Sequence, residues 1–399
     1  MLRQLPQSAR RDATELELQL VLAPSYRVSL GWAAPELGSV LDRALGLCDR
    51  VGTAAQRAQI LYGLQSFYIV AGRLEKSASI TEEMIRVYRE TEKAEPPRSA
   101  FAMFAGVKLQ MGLFQEAVDA ANKLIQESDP VQLQRLQESQ GLNYEVIARA
   151  WQSHALWAMG RPDTALEDAS RAQRRARELR QPFNQAIAAT YLALLQQLRA
   201  DPDTFRQQAK EALELSTEFK ATYYRVWAGI LVAYGETLGT SDAAAVDRLV
   251  GAIEAFKATG ARLRLPYYSA LLADACLRSG APERGLTAAE EGLSLSRESS
   301  ERWWDAELHR LRGELLLATG AEAAEVEAAL RRALEIARGQ QARSLELRAA
   351  QSLAGLWARS GRVGEAKALL EPVLGTFTEG AETPDLRSAR GMLLQLRGG

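Results

Sequence analysis

Helix-ending glycines recur along the chain at a nearly constant interval, and that interval limits the possible folds more than any other feature. Gly72 in YIVAGRLEK, Gly112 in KLQMGLFQEA, Gly160 in LWAMGRPDTA and Gly239 in GETLGTSDAA each follow an apolar run at helical spacing. So do Gly280 in CLRSGAPERG, Gly320 in LLATGAEAA and Gly361 in WARSGRVGEA, while Ala200 in QLRADPDTF fills the slot between Gly160 and Gly239. Successive marks lie 40, 48, 40, 39, 41, 40 and 41 residues apart. A residue just past a helix often adopts a left-handed conformation, which glycine takes without strain. Pro162, Pro202 and Pro282 follow two residues after their marks, where a new helix can start.

Each unit therefore reads as helix, short turn, helix and a second connection. Seven positions before the marks stand Gln65, Ala105, Ser153, Ala193, Val232, Ala273, Gly313 and Ala354, six of them small. Small residues let two helix axes approach to the usual 8–10 Å. Five positions after the marks, Ala117, Ala165, Ala244 and Ala366 would supply the facing contact. This pattern resembles the tetratricopeptide repeat, a helix-turn-helix unit of about 34 residues that stacks into a superhelix. The resemblance implies an all-α, right-handed superhelical solenoid of about eight units of about 40 residues each. The expected organisation is leading helices over 1–52, a solenoid over 53–380 and a capping helix over 381–399. Units are expected near 53–95, 96–128, 144–181, 182–220, 221–260, 261–300, 301–340 and 341–380. The 48-residue interval places an insertion in ESDPVQLQRLQESQGLN, read as a longer solvated connection.

Charge and composition exclude several functions. With 49 basic and 50 acidic residues the chain lacks the basic excess of a nucleic-acid binder, so nucleic acid is not an expected partner. The two cysteines, Cys48 and Cys276, are far apart in sequence, which fits a reducing compartment and a cytoplasmic location. No apolar run is long enough to span a bilayer, and the N-terminus has no apolar signal core.

PYYSALLADACLRSG, ERWWDAELHRLRGELLL, the run from ARSLELRAAQ to TPDL, and GWAAPELGSVLDRALGLC are similar to the helical-repeat region of one bacterial family. It comprises predicted signalling ATPases and class III adenylate cyclases of STAND type. The resemblance runs from about Leu16 to Leu396 and implies a regulatory or sensing role, with an ATPase or cyclase module in cis or in trans. The chain itself has no GxxxxGK[ST] phosphate loop and no cyclase-like aspartate pair. It is read either as an excised repeat region or as a free-standing relative. Transmission is expected to run from groove occupancy through superhelix curvature to the helices around Leu16 to Leu47.

No constellation of nucleophile, base and oxyanion donor is visible, so no enzyme activity, cofactor or metal is expected. His309 in ELHRLRGE lacks a second histidine four residues away and reads as a half-buried structural residue. Trp303 and Trp304 read as packing residues whose N–H groups seek an acceptor. RAQRRARELR, Arg171 to Arg180, reads as a solvated face laced with ion pairs to Glu167, Asp168 and Glu178. Cys276 reads as a small buried apolar residue.

In the repeat that the chain resembles, four positions of each first helix line the concave groove. Transferred by register, these are Ile147, Ala150, His154 and Trp157 in the third unit and Tyr267, Ala270, Asp274 and Leu277 in the sixth. The seventh gives Glu307, Arg310, Glu314 and Leu317, and the eighth Arg348, Gln351, Gly355 and Ala358. The expected site is thus His154, Trp157, Tyr267, Asp274, Glu307, Arg310, Glu314, Arg348 and Gln351, suited by its mixed charge to a protein or peptide. The alternatives are a metabolite held near His154 and Trp157 or near Trp303, and self-association as a scaffold.

Overall fold

The computed structural model describes residues 8–91, 98–127 and 142–398, and it is helical throughout with no strand among them. Two helices lead: α1 (Ala9–Ser29) and α2 (Pro35–Val51). Then come α3 (Ala54–Val70), α4 (Leu74–Thr91), α5 (Arg98–Gln110), α6 (Phe114–Glu127), α7 (Tyr144–Ala158) and α8 (Pro162–Glu178). The middle holds α9 (Pro182–Leu198), α10 (Pro202–Glu218), α11 (Thr222–Thr237), α12 (Ala243–Lys257), α13 (Leu265–Arg278) and α14 (Pro282–Ser299). The last are α15 (Asp305–Ala318), α16 (Ala323–Gly339), α17 (Arg343–Arg359), α18 (Val363–Gly375) and α19 (Pro384–Gly398). Each helix packs on its sequence neighbours, as a solenoid requires. The insertion expected at Glu127–Asn143 falls largely on 128–141, outside the described residues.

The sequence marks are the turns between paired helices. All seven glycines have φ between 71° and 84°, and Ala200, with φ 59°, adopts the same left-handed conformation without being glycine. At Gly72, Gly112, Gly160, Gly280, Gly320 and Gly361 the backbone closes the turn in the same way: Gly160, for instance, donates to the Trp157 carbonyl and Arg161 to the Leu156 carbonyl, 2.9 Å away. These bonds satisfy carbonyls that a helix end leaves without partners. A second series of left-handed residues marks the connections out of each pair: Arg180, Lys220, Gly260, Ser300, Gln341 and Gly380. It repeats every 39 to 41 residues, but four of the six are not glycine, so composition alone does not reveal it.

The close-contact positions are tight. Ala105, Ala193, Ala273 and Ala354 are fully buried, and a Cβ on Gly313 would lie 2.7 Å from Leu330 Cδ2. One expectation is corrected: Ala244 is exposed and Ala245 takes the buried place. α12 starts four residues after Gly239, against two after most of the other marks, with Asp242 as N-cap accepting from Ala244, and the buried small residue falls one position later. In the α3–α4 pair the small residue is replaced by polar ones, Gln65 bonding Thr81 while Ser77 donates to the Gln65 carbonyl.

The superhelix closes on itself. Arg262 and Leu263 donate to the Val70 carbonyl, and Arg302 and Trp303 to the Gln110 carbonyl. Ser344 donates to the Trp157 carbonyl, 187 residues away, and Arg348 Nη2 to the Leu198 carbonyl. Each acceptor lies at the C-terminal end of a first helix, so a later coil of the solenoid caps helix ends of an earlier one. Glu379 likewise accepts from the backbone of Asp163 and Thr164 at the start of α8, and Asp163 accepts from Gly380.

A non-glycine residue in a left-handed turn is strained by about 1 kcal/mol, whereas glycine is not. Replacing Ala200 with glycine should raise stability by about 0.5–1 kcal/mol, seen as a higher urea midpoint. A lower midpoint would contradict the left-handed turn.

Candidate functional site

Along the middle of the superhelix the concave positions are not open. Arg264, fully buried with φ 68°, sets its guanidinium 4.0 Å from the Trp227 ring, 4.8 Å from Trp151 and 5.2 Å from Tyr191. It donates to the hydroxyls of Tyr191 and Tyr223, at 3.1 and 3.3 Å. Desolvated cation–π contacts of this kind are worth about 2 kcal/mol each. Glu301, also fully buried, accepts from the Arg264 backbone at 2.8 Å and from the Trp303 indole at 3.0 Å. The rings continue the plug: Tyr267 against Trp303 and Trp304, and Trp304 against Trp157.

Three expected groove residues therefore belong to the core rather than to a surface. His154 is stacked on Tyr191 with Nε2 3.0 Å from the Tyr191 carbonyl, and burial pushes its pKa down to about 3, so it is neutral. Trp157 is buried beneath Arg348, whose guanidinium lies 5.0 Å from its ring. Tyr267 is buried and donates to Gln197 Oε1 at 2.8 Å. His154, Trp157 and Trp303, near which a metabolite is the alternative expectation, are all buried side chains, and Trp304 beside Trp303 lines the cavity described next.

The other six, Asp274, Glu307, Arg310, Glu314, Arg348 and Gln351, line one cavity of about 700 Å³ at the C-terminal end of the concave face. Exposure rises along each helix toward it: on α15, Glu307 is buried, Arg310 and Glu314 are half-buried and Leu317 is exposed. The walls also include residues that counting along four units did not reach: Gln196 and Gln197 from α9, Phe205 from α10, Tyr234 from α11, and Asp385, Ser388 and Met392 from α19. Carrying the same register into α9 yields Gln197, but the residues of α19 lie beyond the period and carry no sequence signal.

Two of the cavity's arginines, Arg310 and Arg348, are held by its own wall. Arg310 grips Glu307 through Nε and Nη2 at 2.9 and 2.7 Å and reaches Glu314 at 2.6 Å. Burial opposes its charge, but Glu307 and Glu314 outweigh that and hold its pKa well above the ordinary value. Burial would likewise raise Glu307, yet Arg310 and Arg348 hold its carboxyl below the usual range. Arg348 pairs with Asp385 at 2.8 Å, and Ser352 donates to Glu314 at 2.7 Å. Asp274 accepts from Tyr234 and Arg278, both at 2.7 Å.

Elsewhere the polar residues of the sequence are structural. His309 is half-buried, and burial, reinforced by nearby arginines, pushes its pKa down to about 4. Arg175 pairs with Glu178, and Arg177 with Glu211 on the next pair, while Asp168 is buried against Arg149. Cys276 is fully buried. Among the described residues no cluster is arranged to hold a metal, and no helix is long and apolar enough to cross a membrane.

A Rap protein complexed with Competence and Sporulation Factor superposes over 98% of both chains at 12% identity and a TM-score of 0.54. The chain has the tetratricopeptide-repeat-like solenoid fold. A STAND ATPase with a tetratricopeptide repeat sensor, from Pyrococcus horikoshii, matches 86% of this chain and 54% of its own at 12% identity, TM-score 0.44. Aspartyl phosphate phosphatase F from Bacillus subtilis matches 92% and 94% at 10% identity, TM-score 0.46. No family model matches the sequence, and no curated protein does.

Burial pushes the Glu301 carboxyl up to about 7, against the donors from Arg264 and Trp303. A carboxyl with a folded pKa above its unfolded one holds its proton more tightly when folded. Its contribution is therefore complete below about pH 4.5 and is lost as pH rises through about 7. Glu301→Gln removes that titration, so the variant's stability relative to the parent should improve between pH 5 and pH 8. Urea unfolding at both pH values checks this; a pH-independent difference would contradict it.

Proposed function

We propose that the chain is a binding solenoid that receives a peptide or an extended protein segment in the C-terminal cavity. The observation that carries this reading is the contrast along the concave face, plugged by aromatic side chains at its middle and open at one end. Its volume falls in the range of ligand pockets, about 300–1,000 Å³, and its walls combine apolar surface with placed polar groups. The Rap protein that shares the fold is complexed with Competence and Sporulation Factor, a precedent for this architecture holding a partner. The sequence resemblance to signalling ATPases supports a sensing or regulatory role, with the occupied cavity read by a nucleotide-switching module in cis or in trans. The enzymatic step would belong to that module.

A blocking variant tests this. A Cβ on Gly355 would meet Arg359 and Met392 no closer than 3.5 Å, and Gly355 lines the cavity from α17. Gly355→Leu should fill the cavity without disturbing the core, and a better helix former at that position should keep or raise stability by about 1 kcal/mol. Panning displayed random dodecapeptides against the full chain should enrich binders that lose at least tenfold in affinity for Gly355→Leu. Binders indifferent to the substitution would contradict the assignment.

A further inference from the structure

The charged groups that line the cavity are weighted toward carboxylates. Resting on the peptide-binding reading above, we infer that the segment it takes presents a lysine or arginine side chain to the cavity. Every nitrogen of Arg310 is engaged, by Glu307, Glu314 and Ser352. Arg348 gives Nε to Asp385 and Nη2 to the Leu198 carbonyl, and its remaining nitrogen faces Glu307 at 3.9 Å. Arg310 therefore offers no free donor to a ligand, and Arg348 offers only Nη1, which Glu307 draws without a hydrogen bond.

The carboxylates differ. Asp274 receives its three bonds on Oδ2, Glu314 its two on Oε1, and Asp385 its bond on Oδ2. Among the described residues the second oxygen of each has no donor, and these side chains keep 27%, 32% and 24% of their exposure. Five carboxylates line the cavity against three guanidiniums, and the third of these, Arg359, is exposed. Counting Arg278, which pairs with Asp274 from outside the lining, still leaves an acidic excess.

Shape agrees with charge. Leu271, Leu311, Leu317 and Met392 supply apolar wall beside the acceptors. Lysine and arginine bury an aliphatic stem along such a surface and keep the charged head on acceptors. An acidic segment would meet carboxylate oxygens that have no donor to offer it, and a wholly apolar one would leave those oxygens desolvated without a donor. Trp304 adds a second sign of an unfilled site, since it lines the cavity while its buried indole N–H has no partner among the described residues.

The test uses the full chain and four blocked, fluorescently tagged hexapeptide pools, identical except for one fixed central residue: lysine, arginine, norleucine or glutamate. Fluorescence anisotropy should show the lysine and arginine pools binding at least tenfold more tightly than the norleucine pool, with the glutamate pool weakest. The preference should shrink as salt screens the carboxylates, a readout that needs no substitution. It should also disappear in the double variant Asp274→Asn, Glu314→Gln. Norleucine or glutamate pools that bind as tightly as the basic ones, and still fail against Gly355→Leu, would overturn the charge inference and leave the peptide reading standing. If no pool binds the parent chain, both fall.

Discussion

The guanidinium of Arg264, closed between Trp227, Trp151 and Tyr191, is the contact on which the shape of the molecule depends. A buried charge is tolerated only when its surroundings replace what water gave it. Here ring faces, two tyrosine hydroxyls and the neighbourhood of Glu301 do so together. The contributors come from α7, α9, α11 and the connections before α13 and after α14, so satisfying one charge fixes several helix pairs around a common axis. The same side chains fill the concave face there and confine usable space to its C-terminal end.

An ordinary solenoid has contacts only between adjacent repeats, so its stability approximates a sum over neighbours. This one adds bonds between coils: the Val70, Gln110, Trp157 and Leu198 carbonyls each accept from a connection or helix far along the chain. Such bonds tie early pairs to late ones and resist the free change of curvature expected of an open superhelix. On the proposed reading, a signal from the cavity is better carried by the elements that meet there, α9, α10, α11, α13, α15, α17 and α19 among them, than by flexing of the whole coil. Glu379 and Gly380, bonded to the start of α8, bring the C-terminal segment into the same linked set.

Local features of this fold were legible in the sequence because they are set by local chemistry. The turns at Gly72 through Gly361 follow from a backbone conformation that favours glycine, and even Ala200 was located by period alone. The buried small residues of the first helices followed from the same register. The departures trace to facts a periodic reading does not contain. Ala245 replaced Ala244 because the turn after Gly239 is longer than most of the others. Arg180, Lys220, Ser300 and Gln341 adopt left-handed turns without the residue that advertises them. His154, Trp157 and Tyr267 hold groove positions by register yet are buried, because closure of the superhelix brings distant aromatics over them. Asp385 and Ser388 join the cavity from a helix outside the repeat, which only the tertiary path could reveal.

The central claim is that the concave face is sealed at its middle and receptive at one end. Hydrogen exchange of the full chain, with and without a saturating lysine-centred peptide pool, tests it most directly. The account predicts slowed exchange confined to the cavity-lining helices, α9, α10, α11, α13, α15, α17 and α19 among them, with α7 unchanged. Slowed exchange centred on α7, around His154 and Trp157, would mean that the aromatic plug opens to ligand and would contradict the account.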